Sequence, residues 1–437
     1  MNRARALALV AGACVLPRLA VLLYERGDIL GAFTEKSDEF ANTFVESGTY
    51  GFVPGIPSAW TQPLYGWFLI PIYWIFGRSW WAVGSVQILI ALATAAVVYE
   101  IGRRYVSARA GLAAALVATS NPYLVWHDVH VNREILDQLL AASIVLLALL
   151  AGDRRSVAAA AALGAVSGLA ILGNTRVVFV PILLVGYLAW RLRSGRRVAA
   201  AGAALLAACA IVLLPWPIRN DVQVGCFTLT TDTRALWKAN NVNTYGVLAR
   251  GGWIDDVPPL RGAPRTPEQA ADLWKTQRRK VRVDECAQMR LYRRLVWEYW
   301  RDHPGGKAKL AAQAAGMLWS PRPTKTSGRA EQGSGVDTFR DWVEPPYLVG
   351  LYLFGIAGLR RVPRRVAALV VSLLAYQTIA AMAFAGATRY RAPWDLTIAL
   401  LAGAGLVWAG ERFGFADAAG RRGLLGKVRP SSSPRRS

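Results

Sequence analysis

Two adjacent carboxylates, Asp38 and Glu39, follow the first long apolar run of the chain, in the stretch T-E-K-S-D-E-F-A-N-T-F-V-E-S-G from Thr34 to Gly48. A carboxylate at such a place is a candidate general base for an acceptor hydroxyl, because proton abstraction needs a basic group within hydrogen-bond reach of the reacting oxygen. The competing reading is local. Ser37 caps a short helix, the two acids sit in its first turn where the helix dipole favours negative charge, and Phe40, Phe44 and Val45 recur at helical spacing until Gly48 stops the pattern. Further along come Arg176 in N-T-R, Arg219 in P-W-P-I-R-N, and Arg389 and Arg391 in T-R-Y-R. Guanidinium groups grip phosphate oxygens with a fork of donors, so these four are candidate ligands for a phosphate that gains charge as it leaves. Each has an ordinary use too: Arg389 and Arg391 as snorkelling anchors, Arg219 as a donor to the carbonyls of the helix it ends.

The segment W-H-D-V-H-V-N-R-E, from Trp126 to Glu134, adds His127, Asp128 and Glu134 as substrate-site candidates, and Tyr65 ends the T-Q-P-L-Y segment as another. His127 and His130 are three apart, and His130 and Glu134 four apart, a spacing that puts side chains on one helix face. The set straddles an expected helix start and matches no established ligand pattern. A divalent metal is conceivable there, but none is assigned.

Bringing these groups together needs a scaffold, and composition says of which kind. The chain has 437 residues, 54% of them hydrophobic, and apolar runs long enough for a bilayer core recur along it. The reading is an all-α polytopic transmembrane bundle of about ten spans. These fall near Ala6–Tyr24, Trp81–Gly102, Ala108–Trp126, Ile135–Gly152, Val157–Leu172, Val177–Trp190, Val198–Trp216, Pro346–Leu359, Val366–Ala385 and Trp394–Gly410. The first run carries Arg18 and leads into no small-residue cleavage site, so it reads as a retained span. Leu64–Phe76 is short and holds Pro71, which suits a piece lying along the outer interface.

The formal charge of +23 comes mostly from arginines in short loops. With Leu64–Phe76 not crossing, the arginines at 103–109, 154–155, 191–197 and 360–365 all share one side, which the positive-inside rule makes cytoplasmic, together with both termini. No zinc-finger spacing, RNA-binding signature or uninterrupted basic helix is present, so nucleic acid is excluded as a partner. Four functional blocks follow: residues 1–218 as a catalytic bundle with a first outer loop over 25–80, residues 219–345 as a mixed extracytoplasmic loop region, residues 346–410 as C-terminal spans, and residues 411–437 as a basic tail. Within the loop region T-L-T-T-D-T, from Thr228 to Thr233, reads as extended, Asp284–Asp302 as helical, Lys307–Trp319 as interfacial and Thr324–Gly335 as flexible. Of the four cysteines, Cys14 and Cys209 read as buried, while Cys226 and Cys286 share the loop and can pair if it meets an oxidising compartment.

Taken in order, the motifs resemble the integral-membrane glycosyltransferases of the C superfamily, near the dolichyl-phosphate-mannose protein mannosyltransferase and lipid-A-modifying group. The resemblance rests on S-D-E-F at 37–40, S-G-T-Y-G-F and P-S-A-W-T-Q-P-L-Y up to Tyr65, N-R-E at 132–134, N-T-R at 174–176, P-W-P-I-R-N-D at 215–221, N-N at 240–241, D-H-P-G at 302–305 and R-Y-R-A-P at 389–393. It implies a helical bundle in the cell membrane with an extracytoplasmic active site, a polyprenyl-phosphate sugar donor, and a first-loop acid as base, hence Asp38 with Glu39 assisting. The acceptor (glycan, lipid or protein) stays open. Phe40 stands where the family often has an aromatic hydroxyl, and Arg133 where it usually has a small hydroxylated residue. The alternative class is a polytopic transporter or lipid flippase, which accounts for buried charges but not for an acid pair in the first loop.

Overall fold

The computed structural model describes residues 2–31, 35–324 and 335–413. Thr324–Gly335, apart from its end residues, and the basic tail beyond residue 413 lie outside the described residues. Among the described residues seven helices are long and apolar enough to cross a membrane: Arg3–Leu30, Trp80–Tyr105, Glu134–Arg154, Thr175–Leu192, Gly195–Val224, Arg364–Ala383 and Thr388–Arg412. The other expected crossings are the shorter Ala108–Thr119 and Val157–Gly173 and the proline-bearing Gly335–Leu359. The chain is a multi-pass helical membrane protein.

Local chemistry explains where helices stop. The expected span over 108–126 breaks in two, because Asn121 caps a new helix with its side chain and Pro122 opens it, Pro122–His127. Helices two apart in the chain run parallel and pack closely, Val157–Gly173 against Gly195–Leu213, and Gly335–Leu359 against Asp395–Arg412. Small residues make those approaches possible. A Cβ on Gly164 would lie 2.0 Å from the Leu205 carbonyl oxygen, and one on Gly405 2.1 Å from that of Phe354. The shared core is Val98, Ile144, Leu149, Leu184, Leu205, Leu369 and their neighbours, while Leu16, Ile211, Ile356 and Ile379 stand exposed on the outside, where lipid rather than water suits them.

Alternation of the helices sorts their ends onto two faces. On one face Asp153 pairs with Arg191 at 2.7 Å and Arg365 at 2.9 Å, and Glu100 with Arg103 at 2.8 Å. On the other lie the first loop, residues 127–134, 174–176 and 388–391. The helix Pro63–Phe76 sits there too, packed against Lys36–Ser47. The polar region beyond Val224 is built from short helices, among them Pro267–Gln277, Glu285–Asp302 and Pro304–Trp319, and no strand occurs among the described residues. Thr228–Thr233 is extended but unpaired as a strand; its Thr231 N–H reaches the Ala59 carbonyl at 2.9 Å. Cys226 and Cys286 form a disulfide that ties the start of this region to Glu285–Asp302.

Candidate functional site

The first loop folds around Lys36–Ser47, which ends at Gly48 in the left-handed conformation (φ 70). Glu35, not Ser37, is the N-cap residue; Ser37 lies inside the first turn with Asp38 and Glu39. The two acids then diverge. Asp38 is buried and accepts from Tyr73 Oη at 2.5 Å, Arg78 Nε at 3.0 Å and Arg78 Nη2 at 2.7 Å. A carboxylate offers about four lone-pair positions, so one acceptor site is left over. Arg78 follows the end of Pro63–Phe76 and also donates to the Leu30 carbonyl at 2.7 Å, which fixes the fork. Glu39 points the other way, half-exposed, to Lys275 Nζ at 2.7 Å.

One turn before Asp38, Glu35 belongs to a second, denser cluster. Arg389 donates to Glu35 at 2.5 Å and to Glu134 at 2.9 Å. Burial alone would raise the Glu35 carboxyl, but Arg389, Arg133 and Lys36 outweigh it and hold the group below the usual carboxylate range. Arg133 donates to Gln62 at 3.0 Å, and Asn174 donates to Asp137 at 3.0 Å. The Arg176 guanidinium lies 3.7 Å over the Tyr390 ring. Arg133 Nε, Arg176 Nε and Nη2, and Glu134 Oε2 are buried without a hydrogen-bond partner. Unpaired buried donors are expensive, and two arginines leaving three nitrogens unmatched make a place an anion would suit. Segments distant in sequence, carrying Gln62, Arg133, Glu134, Asn174, Arg176 and Arg389, thus converge around Glu35, one helical turn before Asp38.

Other expected site residues are engaged elsewhere. Arg391 is buried against Asp395 at 3.0 Å and donates to the Leu318 carbonyl at 2.8 Å. Arg219 donates to the carbonyls of Ser58 at 2.8 Å and Tyr50 at 3.0 Å, and stacks over Trp216. Both therefore brace the fold. Asp128 is locked to Arg18 Nη2 at 2.7 Å and accepts from Gln138 at 2.6 Å. His127 stacks on Tyr123 with ring centres 3.8 Å apart, bonds Asn132 at 2.8 Å, and is pushed by burial well below the usual histidine range. Tyr65 donates to Gln87 at 2.7 Å in the core. No cluster of three His, Cys, Asp or Glu among the described residues is arranged to hold a metal.

Sequence reasoning passed over Glu35, Tyr73, Arg78 and Asp137. Tyr73 lies inside the apolar run Leu64–Phe76 and Arg78 two residues beyond it, neither in a motif that marks a site. Glu35 carried one usable signal, a third acid a single turn ahead of the pair.

A bundle of this architecture, with carboxylates and arginines gathered at one set of helix ends, has the fold of the C class of membrane glycosyltransferases. Residues 58–218 match the family model for dolichyl-phosphate-mannose-protein mannosyltransferase. Among solved structures it is similar to the oligosaccharyltransferase AglB from Archaeoglobus fulgidus, in complex with an inhibitory peptide and a dolichol-phosphate (TM-score 0.51, 13% identity, 98% of this chain and 52% of that one). The apo form of the Archaeoglobus fulgidus oligosaccharyltransferase matches alike (0.51, 14%, 98% and 52%). ArnT from Cupriavidus metallidurans bound to undecaprenyl phosphate is a looser match (0.43, 16%, 89% and 76%). The chain spans about half the length of the archaeal structures. No curated protein matches it.

Proposed function

We propose that this protein is a glycosyltransferase that moves a sugar from a polyprenyl-phosphate donor to an acceptor hydroxyl on the extracytoplasmic face of the cell membrane. The observation that carries the reading is the set of buried, unmatched nitrogens on Arg133 and Arg176, next to Arg389, whose partner Glu35 lies one helical turn before Asp38. They suit the phosphate of the donor, a group the related archaeal fold accommodates on dolichol. Asp38 takes the proton from the acceptor hydroxyl through its remaining lone-pair position. The oxygen attacks the anomeric carbon, the bond from that carbon to the phosphate oxygen breaks, and polyprenyl phosphate departs with its charge against the guanidinium groups. Tyr73 and Arg78 orient the base. On this reading residues 1–218 form the catalytic bundle, 219–345 cover it from outside, and 346–410 supply Arg389.

The test is release of polyprenyl phosphate by the full-length protein in lipid nanodiscs, against a panel of polyprenyl-phosphate sugars. Arg176→Lys and Arg133→Lys keep charge but lose the fork, so the donor KM should rise by roughly ten- to a hundredfold, the worth of one charge-assisted hydrogen bond. Lipid translocation without phosphate release from any donor, or lysine variants with unchanged donor KM, refutes the proposal.

A further inference from the structure

A cleft runs between the first-loop helix and Pro267–Gln277, lined among others by Glu35, Glu39, Glu268, Asp272, Lys36 and Lys275. Its lysines are already paired: Lys36 with Asp232 at 2.7 Å and Glu268 at 3.0 Å, Lys275 with Glu39 at 2.7 Å. Arg389 pairs with Glu35 and Arg234 with Glu268, each at 2.5 Å, so the walls are close to neutral but lined by acceptor oxygens, and among the described residues only Asp272 of the four carboxylates stands outside a salt bridge. An uncharged group with several hydroxyl donors fits it, and an anionic one does not.

Directly after the cleft helix the chain turns strongly basic. Arg278, Arg279, Lys280 and Arg282 are exposed, and among the described residues none of the four has an acidic partner within salt-bridge distance. Arg278 ends the helix in the left-handed conformation (φ 54). The turn is also held in place. Arg278 and Lys280 lie 5.4 Å and 5.3 Å from the centre of the Trp274 ring, on the cleft helix. Lys280 Nζ lies 3.6 Å from where a Cβ on Gly55 would stand, so it reaches back over the first loop. The basic turn is therefore a rim of the cleft and of the loop that carries Asp38.

From this juxtaposition we infer that the acceptor is an acidic glycan: a neutral unit flanking the one that reacts at Asp38 rests in the carboxylate-lined cleft on the Glu39 side of the first-loop helix, and the anionic groups of further units are held by Arg278, Arg279, Lys280 and Arg282. The inference rests on the transferase reading and adds the substrate class of the acceptor. An acidic peptide fits less well, since its own carboxylates would fall against Glu39 and Asp272.

The experiment uses the full-length protein in nanodiscs of zwitterionic phosphatidylcholine, with fluorescent hyaluronan oligosaccharides, which alternate neutral N-acetylglucosamine with anionic glucuronate, and neutral dextran as probes and anisotropy as the readout. Replacing Arg278, Arg279, Lys280 and Arg282 together by alanine should weaken hyaluronan binding about tenfold or more, the sum of several exposed ion pairs. Replacing Arg154, Arg155, Arg193 and Arg196 instead, an equal charge loss on the other face, should leave it unchanged. Dextran should bind both proteins equally weakly. Equal loss in both variants means that bulk charge alone attracts the probe, and overturns the inference. So does unchanged binding in the rim variant, or a rim effect seen only with nanodiscs containing phosphatidylglycerol, which would assign the turn to the membrane surface. Donor-only release of polyprenyl phosphate is measured on the same samples and should be the same in the rim variant. Its absence from the unaltered protein strikes down the transferase reading, and the acceptor role with it, whatever the probe binding shows.

Discussion

Asp38→Asn separates a base from a helix-start acid. Asp38 accepts one hydrogen bond from Tyr73 and two from Arg78. Asparagine keeps one acceptor oxygen for either neighbour, but turns an amide N–H₂ toward the guanidinium and cannot take a proton. The Arg78 side chain is 36% exposed, so a freed donor reaches water, and the loss of stability should stay near the low end for a hydrogen bond to a charged group, about 1.5 kcal/mol. Turnover should fall by about two to four orders of magnitude, or ~2.7–5.4 kcal/mol in the barrier. Glu39→Gln breaks only the half-exposed pair with Lys275, worth about 0.2–1 kcal/mol, and should leave turnover within about threefold. Turnover per folded molecule, at saturating donor and with the folded fraction measured by size-exclusion recovery, decides between them. Near-normal turnover in Asp38→Asn refutes the assignment, and equal small losses of folded protein in both variants would leave the acids as helix-start charges alone.

Two further outcomes concern what holds the site up. Arg18→Leu strands the Asp128 carboxylate, which is buried to 0% exposure, and should cost about 3–5 kcal/mol, whereas Arg18→Leu with Asp128→Leu should regain much of it; an unchanged Tm in detergent for the single variant contradicts that account. Removing the Cys226–Cys286 crosslink by serine at both positions frees a loop with a sequence separation of 60, worth about 4 kcal/mol in the chain-entropy account, so the region beyond residue 224 should become protease-sensitive before the membrane helices do. Identical proteolysis of the two proteins, or identical peptide maps with and without reductant, speaks against it.

The membrane character, the first-loop helix and its glycine stop were legible because they depend on local pattern: apolar length, i to i+4 spacing and a left-handed terminus. The engagement of individual arginines was not. Arg389 and Arg391 are two residues apart in a short helical turn and therefore face different ways, one toward Glu35 and Glu134, the other into Asp395 and two carbonyls. Nothing within R-Y-R distinguishes them: the i to i+4 pairing of Arg391 with Asp395 is the one local clue, and the other partners lie more than 70 residues away. Arg78 was hidden for the same reason, because its partner is set by how Pro63–Phe76 lies on Lys36–Ser47. The Asn121-Pro122 break was readable in principle as a cap followed by proline, but hydropathy ran through it.

The Glu35–Arg389–Glu134 bridge joins the loop after the first helix to the start of the last one, Arg389 following Glu35 by 354 positions. During synthesis the two carboxylates leave the ribosome long before their cation does. Until the final helix inserts, Glu35 and Glu134 have no Arg389 beside them, and the cluster around Arg133 and Arg176 is incomplete. Assembly of this centre is therefore tied to completion of the polypeptide: a nascent or prematurely terminated chain ending before residue 389 carries every residue of the first loop and still lacks the clasp that draws it against the bundle.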